Sequence, residues 1–288
     1  MSSKTIIIID SGIGGLSICQ PIVEQLPELN IHYVSDNDAF PYGTKDSKFL
    51  KQRVPELLEK LLDEPLLREQ TNPASQIDAT IIACNTASTV VLPTLREQYS
   101  FPIIGVVPAI KTASNTTQSG HYALLATPGT VERDYTNELI NNFSFDQKVE
   151  KIGSRELVDL IEIYFRNAEL DSESLNRCLQ PLLNHPNADH FDCVVLGCTH
   201  FPLIKNSLEE LAPNWQWIDS GPAIASRLVK LLELNNQNEA EIAANATIAK
   251  KYFWATSDSE KNAYNWEGPF AKLLENLGFS GGIKRLNL

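Results

Sequence analysis

Two cysteines occupy matching places in this chain. Cys84 follows Thr80-Ile81-Ile82-Ala83 and precedes Asn85-Thr86, while Cys198 follows Cys193-Val194-Val195-Leu196-Gly197 and precedes Thr199-His200. Each segment has an apolar run, a small residue, a cysteine and then hydrogen-bonding residues. In an open α/β sheet, ligands bind just past the carboxyl ends of the strands. Two such ends facing each other would put one thiol on either side of a small molecule. That pair could invert a carbon stereocentre, one thiolate removing a proton from one face and one thiol delivering a proton to the other. Where a helix begins beside a thiol, the positive end of its dipole lowers the thiol pKa from ~8.5 toward neutrality. Asn85-Thr86 and Thr199-His200 are each expected to start a helix, adding N–H and side-chain donors for a carboxylate.

Other residues could serve the same chemistry. Asp10-Ser11-Gly12-Ile13-Gly14-Gly15 follows the first apolar run. It is not a dinucleotide fingerprint, because Ser17 stands where the last glycine would be, and there is no phosphate-loop lysine. Asp10 could accept an ammonium group or orient a thiol proton; Asp10 or Ser11 could equally cap a helix. Tyr42 and Gly43 could offer backbone N–H groups to a carboxylate, or form an ordinary turn. Thr127 and Thr130 flank Pro128-Gly129 as a carboxylate cradle or a cap. His200 shares a strand end with Cys198 and could move protons or bind substrate. Glu162, taken alone, reads as a solvated or paired carboxylate. His32, His121, His185 and His190 have no such company, and Cys19, Cys178 and Cys193 read as small core residues.

Composition narrows the classes. The chain has 288 residues, enough for one large or two ordinary domains, with 43% hydrophobic and 21% charged residues. Its net charge of −12 argues against nucleic acid as the main ligand and against an anionic membrane. Five cysteines do not make a disulfide framework, and no zinc-type spacing occurs; no metal and no cofactor is expected. Lys4 is followed by only five residues before Asp10, unlike a signal peptide, and no apolar run approaches the ~18 residues of a membrane span. A cytoplasmic location is expected.

These residues need a scaffold that brings strand ends together. Strands are predicted at 5–9, 32–35, 79–83, 103–107, 121–126, 149–151, 193–196, 215–218, 251–255 and 282–286. Helices are predicted at 16–26, 46–67 (Pro55 a candidate break), 86–99 (Pro93 a candidate kink), 131–141, 155–167, 172–183, 203–211, 222–234 and 262–277. Residues 235–245 read as an exposed loop. Strands alternating with helices imply parallel sheets covered on both faces. The two cysteines lie 114 positions apart, which suggests two similar halves. The expected division is 1–107 with 219–288, carrying Cys84, and 108–218, carrying Cys198.

Together these motifs resemble the glutamate racemases, of the cofactor-independent aspartate/glutamate racemase superfamily. The matching segments are Asp10–Leu16, Ala39–Gly43, Ala83–Ser88, Gly105–Ile110, Ala126–Val131 and Leu196–Leu203. They follow the family's order and span about the first two-thirds of the chain. The resemblance implies two flavodoxin-like, doubly wound α/β domains with the active site between them, and no cofactor. It implies interconversion of L- and D-glutamate, supplying D-glutamate for peptidoglycan. Cys84 and Cys198 match the two acid/bases, acting on D- and L-glutamate respectively, with Asp10 and His200 assisting. Asp10-Ser11, Tyr42-Gly43, Asn85-Thr86 and Thr199-His200 match substrate-binding pairs, with Thr127 and Thr130 as further carry-overs. Glu162 falls near a glutamate typical of the family, although Gly153-Ser154 replaces a common Cys-Pro segment. That variant and Ala39-Phe40 resemble a proteobacterial branch. Some of its members require the activator UDP-N-acetylmuramoyl-L-alanine, and they often carry an N-terminal extension that is not seen here ahead of Thr5. The family commonly forms homodimers, though monomers occur.

Three other readings remain open. A related enzyme acting on aspartate, hydantoins or maleate would share the cysteine pair. A two-domain binding protein would share the cleft but not need the thiols. A redox protein would use Cys84 and Cys198 as a dithiol.

Overall fold

The strand Thr5–Asp10 is buried along its whole length, as are Asn30–Ser35 and Ala79–Ile82. Apolar, β-branched runs such as Ile6–Ile9 and Ala79–Ile82 belong inside a parallel sheet covered on both faces. A computed structural model describes residues 4–69, 77–167, 169–234, 249–258, 264 and 267–288. The predicted loop 235–245 lies outside the described residues. In chain order the strands are β1 (Thr5–Asp10), β2 (Asn30–Ser35), β3 (Ala79–Ile82), β4 (Ile103–Gly105), β5 (His121–Ala126), β6 (Lys148–Gly153), β7 (Cys193–Leu196), β8 (Gln216–Ile218), β9 (Lys251–Ala255) and β10 (Ile283–Arg285).

Two units divide the chain, one of 1–106 with 221–288 and one of 107–220. The first holds a six-stranded sheet in the order β10-β9-β2-β1-β3-β4, and the second a four-stranded sheet in the order β6-β5-β7-β8. Every pairing is parallel. The fold class is therefore two doubly wound α/β units. In both, the chain leaves the first strand to one side and returns on the other, so a topological switch point falls between β1 and β3 and between β5 and β7. Ligands of doubly wound sheets bind past the carboxyl ends at this point. In the second unit, the Ser220 hydroxyl donates to the Val107 carbonyl at 2.6 Å, joining the residues where the chain enters and leaves.

The helices differ from the sequence expectation where packing overrides local preference. Pro55 does not break its helix, which runs unbroken over Ser47–Asp63. Five apolar side chains, Leu50, Val54, Leu57, Leu58 and Leu61, are buried along it. Burial stabilises by roughly 1.5–3 kcal/mol for each such side chain, against about 3 kcal/mol for an interior proline. The helix stops at Asp63 instead of 67, because Glu64 is extended ahead of Pro65. Pro93 likewise lies within a continuous helix, Asn85–Gln98. The segment predicted as one helix over 131–141 is two, Pro128–Val131 and Asp134–Phe143, separated at the extended Arg133. Ile110–Thr116 is a helix that polar composition concealed; Ile110 and Ala113 hold it to the core of the second unit. Of the predicted helix 262–277, Gly268–Asn276 is helical, and 262, 263, 265 and 266 lie outside the described residues. Among the described residues, no helix is long and apolar enough to cross a membrane.

Candidate active site

Strand register decides which residues meet at the switch points. In the first sheet Ile9 pairs with Ile82 and Asp10 with Ser35. Carried past the strand ends, this places Asp36, Ser11 and Cys84 in one row. In the second sheet Leu125 pairs with Leu196 and Ala126 with Gly153. The equivalent row there is Ser154, Thr127 and Cys198. The two halves thus repeat one arrangement, a thiol beside a hydroxyl past the two central strands.

In the first unit Cys84 is extended and caps the helix Asn85–Gln98. The Ser88 amide donates to the Cys84 carbonyl, and the Ser88 hydroxyl donates to the Ile82 carbonyl while accepting from the Val106 amide, each at 2.9 Å. These bonds pin the helix start to the strand ends, so its first turn stands beside the thiol. Asn85 and Thr86 are buried, and Asn85 Oδ1 has no hydrogen-bond partner among the described residues. A buried acceptor in that position is satisfied by a ligand donor or by ordered water. Asp10 is fully buried, and its Oδ1 accepts from the Ser11 amide at 2.6 Å. The glycine-rich turn serves packing: a Cβ on Gly15 would lie 2.8 Å from Ala83 Cβ and 2.9 Å from the Tyr33 hydroxyl.

Tyr42 opens the short turn Tyr42–Thr44 and is buried. Its hydroxyl donates to Asp36 Oδ2 at 2.8 Å. Burial first, and then the Asp36 carboxylate, push the phenol well above its ordinary value, so it stays a donor. Its ring packs in the same core as Cys84.

In the second unit, Thr199 and His200 do not start an α-helix. They lead into a four-residue 3-10 turn, Phe201–Ile204, with the helix Lys205–Leu211 only beyond it. One short turn cannot sum peptide dipoles as fourteen residues can. The charge beside Cys198 comes from a side chain instead. His200 Nδ1 lies 3.9 Å from Cys198 Sγ, and its Nε2 lies 2.8 Å from Glu162 Oε1. Burial pulls the imidazole down, but hydrogen bonds to Cys198 and Glu162 outweigh it and carry His200 well above its ordinary value. The helix Glu156–Asn167 presents Glu162, which is buried. Arg166 Nη2 donates to the second carboxylate oxygen of Glu162 at 3.2 Å. Thr127 and Thr130 join through their hydroxyls at 3.0 Å, and the Thr130 amide donates to the Thr127 carbonyl at 2.9 Å.

The structure thus brings Asp10, Ser11, Tyr42, Gly43, Cys84, Asn85 and Thr86 to one group of strand ends in the first unit. It brings Thr127, Thr130, Glu162, Cys198, Thr199 and His200 to another in the second. The sequence reading missed Asp36, Arg53, Thr256 and Arg166. Asp36 had a usable signal, since it follows β2 as Ser11 follows β1. The others had none. The remaining thiols are elsewhere: burial pushes Cys19 and Cys193 up to about 12, and Cys178 is half-buried and also raised by burial. Among the described residues, no group of histidine, cysteine or acidic side chains is arranged to hold a metal ion.

The model of the Asp/Glu/Hydantoin racemase family matches residues 6–228. A glutamate racemase of Photorhabdus laumondii is 46% identical over 233 residues, 81% of this chain and 77% of its own length. One from Vibrio cholerae is 42% identical over 280 residues, 97% and 95% of the two chains. The crystal structure of Escherichia coli glutamate racemase, in complex with L-glutamate and the activator UDP-MurNAc-Ala, superposes with a TM-score of 0.81 at 37% identity, covering 99% of this chain and 98% of that one.

Proposed function

The chain belongs to the Asp/Glu/Hydantoin racemase family, among the glutamate racemases, and from that premise we propose that it interconverts L- and D-glutamate with Cys84 and Cys198 as its two acid/bases. The observation that carries this reading is the repeated strand-end row, which ends in a thiol beside a hydroxyl in both units. A redox dithiol would not call for that repetition, and a binding protein would not call for the thiols.

In the D-to-L direction, the Cys84 thiolate takes the α-proton and the Cys198 thiol gives its proton to the opposite face. The reaction then ends with a thiol at Cys84 and a thiolate at Cys198, and the L-to-D direction reverses each step. A thiolate at Cys198 is supported by the protonated imidazole of His200, itself held by Glu162. A thiolate at Cys84 is supported by the N-terminus of Asn85–Gln98. Asp10 assists the Cys84 thiol. The α-proton is far less acidic than a thiol, so the carbanionic transition state needs preorganised donors to the substrate carboxylate and exclusion of water. Ser11, Thr86, Thr127, Thr130 and Thr199, with the backbone of Tyr42 and Gly43, are the donors assigned to that work. Asn85 Oδ1 is the acceptor assigned to the substrate ammonium group.

The product role is supply of D-glutamate for peptidoglycan, and the regulatory ligand is UDP-N-acetylmuramoyl-L-alanine. The Escherichia coli enzyme, alike over nearly the whole chain, binds that activator in its crystal structure, which supports the second assignment. The test is incubation of the protein with L-glutamate in deuterated water, with and without the activator. Loss of optical rotation should accompany deuterium entry at the α-carbon, and Cys84→Ala and Cys198→Ala should each abolish racemisation. No exchange under either condition refutes the glutamate assignment, and rates unchanged by the activator refute the regulatory one.

A further inference from the structure

Asp36 occupies the same row as Ser11 and Cys84, one strand further out, and it is fully buried. A carboxylate there must be fully satisfied by donors. Arg53 supplies two, Nε to Oδ2 at 2.9 Å and Nη2 to Oδ1 at 2.7 Å. Thr256 donates its hydroxyl to Oδ1 at 2.8 Å, and Tyr42 donates to Oδ2 at 2.8 Å. The backbone around Asp36 is tied as firmly. Its amide donates to the Asp10 carbonyl at 2.8 Å, the Asn37 side chain exchanges two 2.8 Å hydrogen bonds with the Ser257 backbone, and the Asp38 amide donates to Thr256 Oγ1 at 3.1 Å. The anchoring segment, Thr256-Ser257, arrives from the far end of the chain directly after β9, which pairs with β2.

Within this network, Tyr42 belongs to the turn assigned to the substrate carboxylate. We propose that Asp36, clamped by Arg53 and Thr256, is the positioning residue that fixes the Tyr42–Thr44 turn beside Cys84. The guanidinium fork matches both carboxylate oxygens and leaves each one free to accept a further hydroxyl. Asp36 can therefore face Tyr42 in one orientation only. The turn closes through longer bonds of its own, from the Thr44 N–H and hydroxyl to the Pro41 carbonyl at 3.3 and 3.0 Å and from Lys45 N–H to the Tyr42 carbonyl at 3.1 Å. The Tyr42 tether, at 2.8 Å to a carboxylate, is shorter than each of these and adds direction to what ring packing already holds. The catalytic part of this inference rests on the proposed racemase reading; the anchoring part does not.

Two variants test it, Tyr42→Phe, which removes only the tether, and Arg53→Lys, which keeps the charge but loses the fork. In the unliganded protein, amide hydrogen exchange across residues 38–45 should quicken about tenfold in both, as loss of one hydrogen bond to a charged group predicts, with other segments unchanged. In racemisation assays, KM for glutamate should rise about tenfold while kcat stays within about twofold. A purely structural role would lower the active fraction, and hence kcat, without moving KM. Wild-type exchange across 38–45 in both variants, or unchanged KM in both, overturns the proposal. Quickened exchange in a protein whose wild type does not racemise glutamate would leave the anchor standing and remove the racemase reading.

Discussion

Replacing Glu162 with glutamine keeps the shape of the side chain and removes its charge. The carboxylate is buried, with one oxygen 2.8 Å from His200 Nε2 and the other 3.2 Å from Arg166 Nη2. A hydrogen bond to a charged group contributes about 1.5–3 kcal/mol net. If about 2 kcal/mol of the support for the His200 imidazolium is lost when a thiolate forms on Cys198, kcat/KM falls roughly 30-fold. L- and D-glutamate are equal in free energy, so the fall must be the same in both directions, even though only one thiol is beside His200. Cys198 and then Glu162 hold the imidazole above its ordinary value, so removing the Glu162 charge lets the pKa fall, and the alkaline limb of the activity profile moves to lower pH. Stability follows the same sign. Because the folded pKa is raised, the stabilisation linked to His200 is complete below about pH 6.5 and is lost as pH rises through the folded value. The stability gap between wild type and Glu162→Gln should therefore be widest near pH 6 and should close at alkaline pH. The assays are polarimetry of both enantiomers from pH 6 to 10, urea unfolding at matched pH and an NMR titration of the His200 ring. A His200 ring that titrates as in wild type, or kcat/KM within twofold of wild type, would refute the assigned link from Glu162 through His200 to Cys198.

Two further outcomes follow from particular contacts. Asn85→Ala removes a buried acceptor that no group among the described residues uses; it should raise KM for glutamate about tenfold in steady-state assays while leaving unfolding stability nearly unchanged, since no bond among the described residues is broken. Gly197→Ala would set a Cβ 2.8 Å from both Ala126 Cβ and Leu124 Cδ1; it should cost about 1–3 kcal/mol in urea unfolding and also lower kcat by displacing the adjacent Cys198.

Much of the scaffold was legible in short-range pattern. Runs such as Thr5–Asp10 and Cys193–Leu196 are mostly apolar and rich in β-branched residues, and they are buried along their whole length, as the interior of a parallel sheet requires. Helix limits were less legible wherever packing opposed local preference, as at Pro55, Pro93 and the polar segment 110–116. The site divided in the same way. Cys84 and Cys198 were recognisable because each lies two residues past the end of a strand, so sequence adjacency is spatial adjacency. The different electrostatics of the two thiols were hidden, because a helix and a 3-10 turn can follow similar residues.

By itself, the sequence determined the kind of sheet, the strand-end position of both thiols and the polar residues attached to them, all properties carried within a few residues of chain. Only the tertiary structure decided which distant groups complete them. Glu162 meets His200 across 38 positions, and Thr256 meets Asp36 across 220. Such partners are chosen by strand order and register, which bring residues together irrespective of their separation along the chain. A buried carboxylate or imidazole then takes its ionisation, and hence its chemical use, from whatever charge that geometry sets against it.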